Sequence, residues 1–136
     1  MMGPVIDRVS QNRILAVIEA GKSEAQLAWQ GQVPNEPNAC YVAPTIFMEV
    51  PATSRLFREE IFGPVPSVTR ANDFGAAMAL ANNSKFALTG GIYSRSPVNI
   101  ERAKAEMVCG NLMALNNSLP SCGPQKRHQI RQFLAA

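Results

Sequence analysis

Between Val65 and Leu115 the chain alternates strand-like and helix-like runs in the order β-α-β-α-β, and no other feature constrains its fold as much. Residues 65–69, 88–93 and 112–115 are short apolar runs of strand character, with Pro66 awkwardly placed in the first. Asp73 is suited to cap a helix whose apolar stripe is Phe74, Ala77, Met78, Leu80 and Ala81, and Asn82-Asn83-Ser84 ends it. Ser96-Pro97 opens a second helix that runs to about Met107, with proline at its favoured first position. A helix in each connection makes parallel pairing the natural outcome. The expected class is α/β, a mostly parallel sheet flanked by helices.

The residues before this unit read less regularly. Residues 8–21 make an amphipathic helix, with Ile14, Leu15, Val17 and Ile18 on the apolar face and Gly21 as a C-cap. Residues 26–30 alternate like a short strand, and residues 31–38 form a loop by composition. Pro44 within the run Tyr41 to Val50 predicts an edge strand or two short strands. Thr53 or Ser54 is placed to cap a helical turn over residues 55–59. Residues 130–136 are expected to form a frayed helical turn. Pro66 in a strand and Gly75 near a helix start read as mild signs of relaxed constraint.

Composition narrows the function classes. The 136 residues are 46% hydrophobic and 17% charged, the balance of a globular core former. No apolar run reaches the ~20 residues of a membrane span, and Asp7 and Arg8 interrupt any leader-like apolar start. A cytoplasmic domain with no membrane partner is expected. The net charge of +3 comes from the end: residues 1–120 hold ten basic and ten acidic side chains, and Lys126, Arg127 and Arg131 supply the excess. Three charges without interleaved aromatics predict a solubilising tail and no nucleic-acid partner. Cys40, Cys109 and Cys122 are widely spaced, lack a CxxC pair and have one distant histidine, His128, so neither a metal site nor a disulfide framework is expected.

The densest candidate for chemistry is Arg58-Glu59-Glu60-Ile61-Phe62-Gly63-Pro64-Val65. An ionised carboxylate at such a junction accepts two sugar hydroxyls at once, and the neighbouring Phe offers a flat apolar face. The same residues also read as a solvated Glu pair beside a core Phe. Residues 59–65 resemble the E-E-x-F-G-P signature of NAD(P)-dependent aldehyde dehydrogenases, and the likeness continues in the family's order. Gly3-Pro4-Val5-Ile6 is similar to its G-P-x-I/V segment and Pro44-Thr45-Ile46-Phe47 to its P-T-[IV]-[FL] segment. Residues 81–94 resemble its A-N-x-[ST]-x-[YF]-[GA]-L stretch and the strand after it, and Gly110-Asn111-Leu112 the start of its G-x-[LV]-x-[IV]-N strand. Residues 14–29 and 57–60 look most like the L-glutamate γ-semialdehyde (1-pyrroline-5-carboxylate) dehydrogenases, which produce glutamate in proline catabolism.

The resemblance implies roles and also gaps. Glu60 matches the Glu that bonds the nicotinamide ribose, Phe62 matches the aromatic beside the nicotinamide, and residues 82–88 match a structural connection. The family uses a cysteine thiolate nucleophile, a general-base Glu and NAD as hydride acceptor. Both catalytic residues and the dinucleotide-binding domain precede the Gly3-Pro4 segment in the family, and none of the three cysteines here has the family's Gly-Gln context. No catalytic residue is therefore expected in this chain, which reads as an inactive fragment with little affinity for NAD on its own. An interaction module pairing with a full-length aldehyde dehydrogenase, or with its own copy, is the alternative. After Leu112 the sequence departs from the family's ending, as an out-of-frame or substituted end would. The expected division is residues 1–118 as part of the catalytic domain and 119–136 as a divergent basic tail.

Overall fold

The computed structural model describes residues 3–36, 38–116 and 131–132. The chain divides into two compact units, Met1–Arg70 and Ala71–Ala136. The expected basic tail lies outside the described residues apart from Arg131–Gln132, and so does Cys122.

The first unit is built on helix α1, Arg8–Glu24. Asp7 caps it in extended conformation, its carboxylate accepting the Ser10 amide at 2.7 Å. The buried residues are Gln11, Ile14, Ile18 and Gly21, a stripe at helical spacing, while Leu15 is 43% exposed and Val17 only half-buried. The helix continues one turn past the expected cap because Gly21 meets a different need. A Cβ there would come within 2.9 Å of Leu56 Cδ1 and 3.0 Å of Phe47 Cζ, so its missing side chain lets α1 lie against the core. Ile14, Ile18, Val42, Phe47, Val50, Leu56, Ile61 and Val65 form that core. Each large side chain fully buried there contributes roughly 1.5–3 kcal/mol.

Strand β1, Gln26–Gln30, pairs antiparallel with β2, Thr45–Met48, with a bulge between Leu27 and Trp29. Pro44 sits just ahead of β2, so the missing amide costs the ladder nothing, and its carbonyl accepts the Gly31 amide. β2 is not the edge strand that Pro44 suggested. On its other side runs the 64–68 segment, with a parallel bridge between Phe47 and Ser67. Thr45 and Phe47 amides donate to the Pro64 and Pro66 carbonyls, and the Val68 amide donates to the Phe47 carbonyl. The two prolines offer carbonyls but no amides, which limits this segment to a bridge where sequence periodicity indicates a strand. Pro66 thus fits its place, and relaxed constraint is not needed to explain it.

Ser54 caps helix α2, Arg55–Arg58, accepting the Leu56 amide while donating to Glu24 at 2.6 Å. In the second unit, Asp73 caps helix α3, Phe74–Asn82, as expected. Met78 is buried and Phe74 and Leu80 half-buried, whereas Ala77 and Ala81 are exposed, so the apolar stripe is narrower than the sequence suggests. A Cβ on Gly75 would crowd the capping Asp73 carboxylate at 3.2 Å, so glycine there also has a local reason. Strand β3, Thr89–Ser94, helix α4, Pro97–Glu106, and strand β4, Asn111–Asn116, form a β-α-β unit with β3 and β4 parallel. Met78 of α3, Ile92 of β3 and Ala103 of α4 form a buried cluster. Arg131–Gln132 adds β5 antiparallel to β4, where a helical turn was expected. The mixed α/β class and helix-flanked sheets agree with the sequence. Parallel pairing is confined to β3–β4 and the Phe47–Ser67 bridge among the described residues.

Candidate functional site

The adjacent carboxylates Glu59 and Glu60 are set up differently by the end of α2. Glu59 is the C-cap, and its carboxylate takes both Nε and Nη2 of Arg55 at 3.0 and 2.8 Å, one helical turn back. The hydrogen bonds from the Arg55 guanidinium hold the Glu59 carboxyl below its ordinary range. Glu60 is exposed, and no described residue pairs with its carboxylate. Only Glu60 is open to an external donor.

The next three residues are gripped from one side. Ile61 is buried in the first unit's core, and its carbonyl accepts Arg13 Nη2 at 2.7 Å. Gly63 lies so close to Ile14 that a Cβ would come within 2.8 Å of Cδ1, 3.0 Å of Cγ2 and 3.1 Å of Cγ1. Between these anchors Phe62 adopts φ 52, a left-handed conformation that costs a bulky L-residue about 1–3 kcal/mol. Its side chain is 76% exposed. The reading of Phe62 as a core residue is thereby overturned, and Gly63 after it is packed against Ile14. A flat aromatic face is held out in the solvent two residues after an open carboxylate.

Sequence reasoning missed Arg13 and Ile14 as parts of this site. They lie 48 and 49 positions before Ile61 and Gly63 on a helix whose polar face explained Arg13 fully. A phenylalanine carries no local signal for left-handed backbone.

Asn82, expected to be structural, is a clamp in the second unit. Its side-chain amide donates to the Glu106 carbonyl at 2.8 Å, and its oxygen accepts the Val108 amide at 2.9 Å. Gly110 and Asn111 amides donate to the Ala87 and Leu88 carbonyls. The 82–88 connection thus fixes the end of α4 and the start of β4. Cys40 and Cys109 are half-buried free thiols. Among the described residues no group of three or more His, Cys, Asp or Glu is placed to hold a metal ion, and no helix is long and apolar enough to cross a membrane.

Comparison with known proteins bears on these features. The model of the aldehyde dehydrogenase family matches residues 1–124. A 1-pyrroline-5-carboxylate dehydrogenase of Geobacillus sp. (strain WCH70) is 42% identical over 111 residues, 82% of this chain and 21% of that protein. One from Bacillus subtilis (strain 168) is 40% identical over the same shares. Among solved structures, 1-pyrroline-5-carboxylate dehydrogenase from Thermus with bound NAD superposes with a TM-score of 0.77 at 44% identity, covering 82% of this chain and 22% of that one. Proline utilization A from Bdellovibrio bacteriovorus gives 0.80 at 43% identity, over 83% and 12%. The chain spans about a fifth of the length of the curated relatives it matches.

Proposed function

The chain belongs to the aldehyde dehydrogenase family, and from that premise we propose that it carries the nicotinamide-riboside-facing segment of a 1-pyrroline-5-carboxylate dehydrogenase. The reaction served is oxidation of L-glutamate γ-semialdehyde to glutamate, in the cytoplasm. The observation that carries the assignment is the contrast between the two carboxylates: Glu59 is occupied by Arg55, while Glu60 stands open next to the outward-held Phe62 turn.

The residues present fit that cofactor. The exposed Glu60 carboxylate would accept the ribose hydroxyls, and the exposed ring of Phe62 would give the nicotinamide an apolar surface. NAD, when bound, supplies the hydride acceptor. Each charge-assisted hydrogen bond to the carboxylate is worth about 1.5–3 kcal/mol, but association costs about 4–15 kcal/mol of translational and rotational freedom, so two such bonds fall short of the ~4 kcal/mol that millimolar affinity requires. These 136 residues alone therefore bind NAD only weakly. We assign the nucleophile to none of Cys40, Cys109 and Cys122, so the chemistry depends on residues outside this sequence. Purified chain given L-glutamate γ-semialdehyde and NAD is expected to produce no NADH; turnover, and above all turnover lost on replacing Cys40, Cys109 and Cys122, would overturn the assignment.

A second reading is an interaction module for a full-length aldehyde dehydrogenase subunit or a second copy. Exposed Leu88, Tyr93, Val98 and Val108 in the second unit favour it. Co-purification with an intact relative supports that reading, and a monodisperse monomer that ignores the enzyme refutes it.

A further inference from the structure

We infer that Arg13 is a positioning residue for the Glu60–Phe62 platform, acting through the backbone of Ile61; the inference rests on the cofactor reading above. Phe62 sits in a left-handed conformation that its own side chain disfavours, so something outside the turn must hold it. The residue before it is pinned by Arg13 Nη2 on the Ile61 carbonyl at 2.7 Å. The residue after it is pinned by the close approach of Gly63 to Ile14. Arg13 and Ile14 are consecutive on α1, so one rigid helix holds both flanks of Phe62. The two grips differ in kind. Ile14 is fully buried and belongs to the core, whereas Arg13 is exposed, so removing its guanidinium leaves the core packing in place. Without that hydrogen bond the Ile61 carbonyl is free to rotate. The Ile61–Phe62 peptide then relaxes toward ordinary φ, and the ring leaves the place where the nicotinamide would meet it.

The test uses the full 136-residue chain, labelled with 15N and 13C, and its R13A, R13K and F62G variants. Left-handed backbone at Phe62 is read from its intraresidue amide–Hα cross-peak and carbon shifts. Binding is read as the shift of the Phe62 amide per millimolar nicotinamide mononucleotide. R13A is expected to lose the left-handed signature, and R13K, which keeps a donor, to restore most of it. If only about a tenth of R13A molecules keep the competent turn, the binding slope falls about tenfold. Retention of the signature and an unchanged slope in R13A overturn the inference. Glycine accepts a left-handed φ without strain, so on an F62G background R13A should leave the turn unchanged. Should R13A unfold in the parent chain and fold on the F62G background, the inference stands; unfolding in both makes Arg13 a general fold determinant and overturns it. A wild-type chain whose Glu60 and Phe62 ignore the nucleotide defeats the cofactor reading, while the backbone signature still decides whether Arg13 holds the turn.

Discussion

Replacing Gly63 with alanine tests the grip on the Phe62 turn through packing. The new methyl group would lie 2.8–3.1 Å from three carbons of Ile14, a β-branched side chain with 0% exposure and no room to move aside. Overpacking of this kind costs about 1–3 kcal/mol. Gly63 does not have a positive φ, so alanine gains about 0.4–1 kcal/mol from a less flexible unfolded chain. The net loss expected is about 1–2 kcal/mol. The I14V change removes Cδ1, the nearest atom, at a cost of about 0.5–1.5 kcal/mol. The two changes should therefore be less damaging together than their sum, with a coupling of about 1 kcal/mol. Urea unfolding followed by the single Trp29, which lies in the first unit, measures all four corners of the cycle. Simple additivity, or a G63A variant as stable as the parent, would show that the approach of Gly63 to Ile14 does not hold the turn.

Three further outcomes are expected. N82A deletes both arms of the clamp between α3 and the α4–β4 junction, at a cost of about 1–2 kcal/mol because the groups it leaves are exposed. Faster hydrogen exchange at the Val108 amide reads this directly, and an unchanged rate would refute the clamp. Asp7 is held below its ordinary value chiefly by its bond to the Ser10 amide. Its capping contribution is therefore complete above the unfolded-state carboxylate range and lost as pH falls through the lower folded value. Helicity of α1 in D7N should lack that acid-side transition, and an identical transition in D7N would refute the assignment. S54A removes the α2 cap and its bond to Glu24, and should cost about 1–2 kcal/mol in urea unfolding; a loss within error would refute it.

The parts of the fold readable from sequence were those set by local chemistry. Asp73, Ser54 and Pro97 mark helix starts because a capping oxygen or a fixed φ is useful there whatever the surroundings. Parallel pairing of β3 with β4 follows from the helix between them. Two of the misreadings involve partners distant in sequence. Gly21 has the composition of a cap but serves an approach to Phe47 and Leu56, more than twenty residues away. Residues 65–69 look like a strand, yet Pro64 and Pro66 offer β2 carbonyls and no amides, which limits the ladder. At the site, Glu60 and Phe62 were visible as a motif. Their separate circumstances were not, because Arg55 satisfies Glu59 and α1 turns Phe62 outward only in three dimensions.

The central claim is that Glu60, and not its neighbour, receives the ribose. The most direct measurement is amide chemical-shift mapping of the full chain with nicotinamide mononucleotide, in the parent, E60Q and E59Q. Shifts centred on residues 60–63 are expected, shrinking strongly in E60Q and persisting in E59Q, where only the bond to Arg55 is weakened. Shifts that map elsewhere, or that fall equally in both variants, would contradict it.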